Sequence, residues 1–401
     1  MTVRFAKRAA LAAALTVGTA LGAAAQTPPA EFPAAALGAA QAKLGHALLE
    51  KMAADPAHGR LVVSPAGVAA VLADLDLGAD EAMHAAIVRT LGFDGAKGDA
   101  AMASLRRTAQ SLAAAAAKDG PLTFADAIFV DAAVSLEDAA RRDLAAAGIE
   151  TQTQPLATMP GVAAVNDWVD KHTKGAIKSI LDNPIPGAAF VAVNALHFKD
   201  DWRFAFPAAQ TKPHAFATAD GKALEVPMMA LPASPLAFRQ DDRFIAVSLP
   251  YKTAGLSLLV VTTKDRPASF ADFAPAASWL DGSGFAEARG TVALPRFGVE
   301  SSAHLLGHLD ALGLREARTP TAFGKFTKSP ALLTDVVQKT MIKVDETGTE
   351  AAAATAAITT RALRPTDTVE MVVDKPFLFA LRDERNGLTL MTGYVDDPTG
   401  K

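Results

Sequence analysis

The stretch KVDETGTEAAAATAAI, residues 343–358, places an acidic pair, one glycine and a run of small residues near the end of a largely apolar chain. Helix propensity favours the alanines, but Gly348 before the run and Pro365 after it do not make a capped amphipathic helix. If this stretch forms a strand, alternate residues lie on the same face, and one face carries only small, uncharged side chains. That face consists of Thr349, Ala351, Ala353, Thr355, Ala357 and Thr359. Glu350 falls on the outward face. A strand of this kind could enter an existing sheet without burying an ion.

The residues just before the small-residue run read as a strand. DVVQKTMIKVDE, residues 335–346, has the β-branched and apolar content of a strand that stops at the acidic pair Asp345 and Glu346. Gly348 is then expected to be a hinge, because glycine tolerates the change of backbone direction between leaving a sheet and continuing it. The alternative is an ordinary surface loop rich in small residues, and composition by itself favours that alternative.

The first residues indicate where the protein works. Residues 1–8 carry three cations, residues 9–21 are apolar, and Ala23–Ala25 supplies small residues for cleavage before Gln26. This pattern is typical of a secretory signal peptide, and the apolar run is too short for a membrane anchor. We expect residues 1–25 to be removed and the mature chain, residues 26–401, to act in the periplasm or outside the cell.

Composition bounds the class of protein. The formal net charge is −4, and removing the three leader cations makes it −7, a balance that suits neither nucleic acid nor an anionic membrane as partner. With no cysteine, stability must come from a core and not from disulfides. Hydrophobic residues make up 50% of the chain and no Gly/Ser- or Pro-rich linker divides it. We therefore expect one large domain that acts as a monomer.

Apolar spacing predicts helices early in the chain and strands late. The predicted helices cover residues 36–52, 64–76, 79–91, 99–118, 136–147, 166–174 and 303–312. The predicted strands cover residues 122–130, 188–198, 244–251, 255–263, 290–297 and 335–346, followed by C-terminal strands around an Asn386-Gly387 turn. The run at 188–198 is continuously apolar, as in a strand buried on both faces. The pattern predicts an α+β fold.

Recognisable catalytic motifs are missing from the sequence. It contains no Gly-x-Ser-x-Gly elbow and no glycine-rich phosphate or dinucleotide loop, and it has no thiol. Ser64, followed by proline, reads as a helix start and not as a nucleophile. His304 and His308 have helical spacing and could share a metal, but leucine follows His304 where a zinc protease needs its glutamate base. The acidic pair Asp383 and Glu384 is expected to be solvated. We expect no enzymatic activity, no metal and no cofactor.

The quoted stretch resembles the hinge of inhibitory serpins, in which an acidic residue, a glycine, a threonine, a glutamate and an alanine run with a following threonine occur in this order. The matching residues are Glu346, Gly348, Thr349, Glu350, Ala351, Ala352, Ala353, Ala354 and Thr355. Further segments match in order, among them VSPAGVAAVLADLDLGA, VNDWVDKHTKGAIKSIL, VNALHFKDDWRFAF, LPYKTAGLSLLVV and DKPFLFALRDERNGLTLMTGYV. The resemblance covers nearly the whole mature chain, and we expect an inhibitory, secreted member of bacterial origin.

The resemblance implies a single domain of three β-sheets and eight or nine helices, with an exposed reactive-centre loop at about residues 346–369. It also implies a mechanism. A secreted or extracellular serine protease cleaves the loop and forms an acyl-enzyme, and it is held in a covalent 1:1 complex when the cleaved loop inserts into the main sheet. The alternatives are a non-inhibitory chaperone, carrier or storage protein with this fold, or an inhibitor of a cysteine protease.

The same resemblance assigns the region that receives the loop. It includes Ser64, Asn194 and Trp202, the last of which lies near the insertion point. Two positions depart from the family pattern: Gln338 stands where many members have histidine, and Gly67 stands where serine is usual. Both fall where the sheet must open, so the resemblance leaves the ease of insertion undecided.

The bond that a protease would cut stays open among neighbouring positions. Family spacing counted from Glu346 predicts Ala362–Leu363, which suits an elastase-like enzyme, although this loop is longer than the commonest form. Side-chain chemistry favours Arg361–Ala362, since a trypsin-like pocket with a buried carboxylate would take Arg361. Leu363–Arg364 would suit a chymotrypsin- or subtilisin-like enzyme. Cleavage after Arg364 is disfavoured by the proline that follows it.

Overall fold

Helices fill the first third of the chain and strands dominate the rest in the computed structural model, which describes residues 32–54, 59–93, 97–117, 120–349 and 368–400. The α-helices are α1 (Ala34–Met52), α2 (Pro65–Leu75), α3 (Glu81–Thr90), α4 (Gly98–Ala117), α5 (Asp138–Ala146), α6 (Met159–His172) and α7 (Leu306–Ala311). A 12-residue 3₁₀ helix covers Phe270–Asp281, and shorter ones cover Asp76–Gly78, Ala208–Gln210 and Arg315–Arg318. None of the helices in the part of the chain that the structure describes combines the length and the apolar character that a membrane span requires.

The strands form two hydrogen-bonded sheets in the part of the chain that the structure describes. The first eight strands are β1 (Arg60–Val63), β2 (Leu122–Asp131), β3 (Thr151–Gln154), β4 (Phe190–Phe198), β5 (Asp200–Asp201), β6 (Lys212–Ala217), β7 (Ala223–Gln240) and β8 (Phe244–Pro250). The others are β9 (Leu256–Thr263), β10 (Ala286–Pro295), β11 (Phe297–His304), β12 (Leu333–Val344), β13 (Gly348–Thr349), β14 (Val369–Val372), β15 (Phe377–Asp383) and β16 (Leu388–Val395).

The larger sheet has the order β1-β16-β15-β9-β8-β7-β10-β14, with β6 on β7. The smaller has the order β3-β2-β4-β12-β13-β5, with β11 on β12. Three sheets were expected, but the 18-residue β7 joins two of them into one. Its first residues pair with β6 and its last four with β8, so one strand serves both parts. The α+β fold class is confirmed.

The smaller sheet is covered by a helix on each face. Every residue of β4 is buried, as its continuous apolar run predicted. Val191 and Val193 pack with α6 residues such as Val165, whereas Phe190 and Ala192 belong to the core that contains α2. Alternate residues of β4 therefore face α2 and α6 in turn, as the pleat of a strand requires.

One predicted helix is wrong at its start. Residues 303–312 were expected to be helical, but α7 begins only at Leu306, and His304 ends β11 opposite Val337 of β12. Ladder hydrogen bonds to β12 decide the conformation of this segment, which local helical spacing could not reveal. Strands β6 and β7 were also missed. The exposure of β7 does not alternate regularly along its length, so it lacks a clean period of two.

Candidate functional site

The centre of the smaller sheet is a parallel pair of strands, β4 and β12, and we call the boundary between them the seam. After β12 the chain turns at residues 345–347 and comes back as β13, antiparallel to β12. On its other side β13 pairs with β5, which follows β4 directly in the chain. A strand that continued β13 along β12 would therefore run between β12 and β4, through the seam.

Gly348 lies where two backbones approach closely. It pairs with Asp201, and a Cβ on Gly348 would overlap the carbonyl oxygen of Asp200. Gly348 is not among the described glycines with a positive φ, so close approach is its visible requirement in this state, and its role as a hinge stays a prediction. It is needed because no side chain fits between β13 and β5.

Thr349 is fully buried at the end of the seam, with 0% of its surface exposed. Its hydroxyl lies 2.7 Å from the hydroxyl of Tyr251. Burial raises the pKa of Tyr251 far above its ordinary value, so the phenol keeps its proton and can donate it to this hydrogen bond. Thr349 thus faces inward, as the two-residue period predicted. Tyr251 was not singled out, although it belongs to the LPYKTAGLSLLVV segment.

Trp202 holds the turn between β12 and β13. Its indole nitrogen donates to the carbonyl of Asp345 at 2.9 Å, and its backbone N–H donates to the carbonyl of Thr347 at 2.8 Å. The indole stacks on the ring of Tyr251 with centroids 4.4 Å apart. The structure therefore places the predicted tryptophan directly against the start of the loop.

Glu346 anchors the same turn to the larger sheet. Arg296, between β10 and β11, donates from Nε to both carboxylate oxygens at 2.9 and 2.8 Å, and Thr211 also donates to this carboxylate. Burial alone would raise the pKa of Glu346, but the hydrogen bonds from Arg296 and Thr211 outweigh it and lower the pKa. The same contact raises the pKa of Arg296. Sequence reasoning missed Arg296, because nothing local marks it as the partner of a residue 50 positions away.

Ser64, Asn194 and Gln338 meet in the middle of the seam, and none is more than 1% exposed. The side-chain oxygen of Gln338 accepts from the backbone N–H of Ser64 at 2.7 Å. Its amide nitrogen donates to the Ser64 carbonyl and to Asn194 Oδ1, both at 3.0 Å. Ser64 also caps α2, since its hydroxyl accepts from the N–H of Gly67 at 3.0 Å. The helix start predicted at Ser64 is confirmed.

The two departures from the family pattern fall in this one cluster. A Cβ on Gly67 would overlap the Asn194 amide, so glycine makes room for Asn194 there. Gln338 in turn uses both its amide N–H groups and its oxygen within the cluster. The two substitutions thus belong to a single, fully hydrogen-bonded arrangement across the seam.

Two other predicted groups lie away from the seam. His304 Nδ1 is 2.5 Å from Asp335 Oδ2 at the end of β11, so the proposed helical pair with His308 does not exist. Among the described residues no three potential ligands come together to hold a metal.

The expectation that Asp383 is solvated is wrong. Its side chain is 3% exposed and accepts hydrogen bonds from the side chains of Arg385 and Asn386.

The remaining predicted site residues lie outside the described residues. They are the distal hinge positions Glu350, Ala351, Ala352, Ala353, Ala354 and Thr355, and the candidate cleavage positions Arg361, Ala362, Leu363 and Arg364. The predicted signal peptide, residues 1–25, also lies outside them.

Comparisons with known proteins converge on one family. The model of the family "Serpin (serine protease inhibitor)" matches residues 39–398. Mouse glia-derived nexin is 30% identical over 362 residues, covering 85% of this chain and 88% of the nexin. Bovine plasminogen activator inhibitor 1 is 31% identical over 254 residues, covering 58% of this chain and 61% of the inhibitor. The crystal structure of native protease nexin-1 with heparin matches with a TM-score of 0.76 and 24% identity, over 91% of this chain and all of the nexin chain.

Proposed function

The chain belongs to the serpin family, and from that premise we propose that it is a secreted suicide inhibitor of a serine protease. The protease cleaves the loop after the hinge and becomes acylated. The freed loop then continues β13 as a full strand between β12 and β4, carrying the protease with it in a covalent 1:1 complex. Inhibition succeeds when insertion is faster than deacylation. In this scheme the protein acts as a monomer. It is a protease inhibitor and not an enzyme, as its family indicates.

The observation that carries the proposal is the position of β13. Gly348 and Thr349 are already paired with β12 on one side and β5 on the other, at the end of the seam. Further insertion only extends an existing antiparallel ladder, as in other cases of strand addition. The face that would enter the sheet starts with the buried, uncharged Thr349 and continues with alanine and threonine. Thus insertion buries no charge on this face.

For the cleaved bond we keep Ala362–Leu363 first, with Arg361–Ala362 and Leu363–Arg364 as alternatives. The test incubates the mature protein with trypsin-, elastase-, chymotrypsin- and subtilisin-like proteases and with a papain-like cysteine protease. SDS-stable complexes are then resolved, and the N-terminus of the released fragment is sequenced. A complex with a serine protease is expected, and a fragment that begins at Leu363 would identify the first bond.

The outcomes separate the alternatives. A complex with the papain-like enzyme alone would identify a cysteine-protease inhibitor. Cleavage by every protease without any complex would overturn the proposal in favour of a non-inhibitory protein. Export is a separate part of the proposal, supported by the pattern at residues 1–25; N-terminal sequencing of the exported protein is expected to begin near Gln26.

A further inference from the structure

The turn between β15 and β16 contains the Asn386-Gly387 pair that the sequence marked as a turn signal. Residues 384–387 connect Asp383 with its strand partner Leu388. Asn386 is exposed to solvent. Gly387 has a φ of 67°, in the left-handed region that glycine adopts more readily than any other residue. The predicted turn is thus present, and the proposed function makes no use of it.

The side chain of Asn386 supports a buried carboxylate. Its amide nitrogen donates to Asp383 Oδ2 at 2.8 Å. Arg385 donates to the same carboxylate from its backbone N–H at 3.1 Å and from its guanidinium at 3.0 and 3.2 Å. Asp383 is 3% exposed, so its charge is stabilised by these donors and hardly by water.

The backbone nitrogen of Gly387 is well placed to react with the Asn386 side chain. Attack by the nitrogen of the next residue on an asparagine amide closes a five-membered ring. A side chain on that next residue hinders the attack, and glycine has none. In the described part of the chain the N–H of Gly387 donates to no other residue, so no hydrogen bond has to break before this nitrogen reacts.

The other asparagines in the sequence each lack one of these conditions. Asn183 is exposed, but Pro184 follows it and has no N–H to lose. Asn166 makes three hydrogen bonds to the backbone of residues 180–181, which hold its amide in place. Asn194 is wholly buried, within a strand. The turn therefore holds the one asparagine that combines exposure with an unhindered neighbour.

We propose that Asn386 is a site of spontaneous deamidation in the folded protein. The Gly387 nitrogen loses its proton and forms a bond to Asn386 Cγ, the bond from Cγ to Nδ2 breaks, and ammonia leaves. One water then opens the cyclic imide at either carbonyl. The product is aspartate or, when the chain continues through the side chain, isoaspartate. This inference goes beyond the proposed function and does not rest on it.

Conversion to aspartate reverses the contact with Asp383. An amide donates a hydrogen bond, whereas an ionised carboxylate only accepts. The interaction at 2.8 Å therefore changes from a hydrogen bond to a charged group into a contact between two negative charges. Arg385 is the neighbour that remains to neutralise the buried Asp383. The ratio of folded to unfolded protein should fall by roughly tenfold or more.

Conversion to isoaspartate lengthens the backbone of a turn that has little room. Helix α1 lies directly against it, because a Cβ on Gly38 would overlap the carbonyl oxygen of Gly387. An extra backbone carbon moves this carbonyl relative to α1 and to the strand pair that the turn closes. Both products thus loosen the β15–β16 hairpin, and the reaction gives the folded protein a finite lifetime.

The first test follows the reaction by peptide mapping and mass spectrometry of the mature protein, incubated at neutral and at alkaline pH. The peptide with Asn386 is expected to gain the mass that replaces an amide by a carboxylate, and to split into aspartate and isoaspartate forms. Conversion should be faster at alkaline pH, since the attacking nitrogen must lose its proton. The peptide with Asn183 is the internal control. Conversion at Asn386 no greater than at Asn183 would overturn the proposal.

The second test measures the consequence with Asn386→Asp and with Asn183→Asp, which places the same charge at an exposed position. The thermal midpoint is expected to fall for Asn386→Asp and to stay near wild type for Asn183→Asp. The difference should shrink below about pH 4, where the added carboxyl is protonated and can donate to Asp383. Equal midpoints for the two variants would overturn the inferred loss of stability. If Asn386→Asp does not fold, aged wild type takes its place, and its converted fraction should melt below the unconverted fraction.

Discussion

Two glycines show how single residues decide what this sheet can do. Gly348 lets β13 lie against the backbone of Asp200, and Gly67 lets α2 lie against the side chain of Asn194. In both places a Cβ would overlap atoms that belong to the seam or its end. Each position therefore requires glycine, because a neighbouring segment lies too close for any side chain.

Thr349→Arg is expected to convert the protein from inhibitor to substrate. Thr349 is wholly buried between β12 and β5, so an arginine there would expel β13 from the sheet before cleavage, and insertion would then have to bury the unpaired charge. A cost of several kcal/mol slows insertion more than about a hundredfold. The measurement is complex formation against simple cleavage on SDS gels. Thr349→Ser, which keeps the hydroxyl for Tyr251, should still form complex; equal trapping by the Arg variant would contradict insertion.

Glu346→Gln tests the anchor of the hinge. The pKa of Glu346 is lowered in the folded protein, so its contribution to stability is present above its ordinary pKa of about 4.5 and is lost as pH falls through the folded value. At neutral pH the variant is expected to be about 1–2 kcal/mol less stable, since it loses charge-assisted hydrogen bonds from Arg296. The difference in stability from wild type should shrink below about pH 4. A constant difference at all pH values would show that the carboxylate charge does not matter.

At the scale of elements, polar groups fasten the seam within an otherwise apolar sheet. α2 supplies Ser64, β4 supplies Asn194 and β12 supplies Gln338, and all three are buried. Satisfied polar groups inside a core hold elements in one register, and their loss is costly because the partners stay buried. The seam is thus closed by a few specific bonds that an entering strand has to replace.

Gln338→Ala is expected to weaken the closed sheet strongly. It leaves the N–H of Ser64 and the amide of Asn194 without their partner, at about 1–3 kcal/mol for each unsatisfied group. The free energy of unfolding, measured by denaturant titration of the uncleaved protein, should fall accordingly. Gln338→His retains a donor and an acceptor and should lose less. A Gln338→Ala variant as stable as wild type would show that the cluster does not hold the seam.

For the whole molecule, the closed seam is the feature that makes a large gain in stability available. The smaller sheet has its two parallel strands, β4 and β12, in direct contact, and an added strand would pair with both. The completed ladder would satisfy the backbone groups of the inserted loop on both sides. We therefore expect the uncleaved form to be less stable than the cleaved, inserted form.

Cleavage within residues 350–367 should raise the thermal midpoint sharply. The reason is that the freed loop completes the sheet, which the uncleaved loop cannot do while both its ends are tied. Calorimetry before and after limited proteolysis measures the shift. Cleaved Thr349→Arg is the matched control and should melt near the uncleaved protein. A cleaved wild type without any rise would argue for a non-inhibitory member of the family.

The sequence by itself determined the α+β class, the start of α2 at Ser64, the buried strand β4 and the uncharged face that begins at Thr349. These features depend on local spacing and on side-chain size, which the order of residues contains directly. Only the tertiary structure decided the partners: Arg296 for Glu346, Tyr251 for Thr349, and Gln338 for Ser64. Such pairs arise from strand register and helix packing; Ser64 and Gln338, for example, lie 274 positions apart. Local propensity carries no information about contacts at that separation. Strand pairing and helix packing bring such residues together in the folded chain.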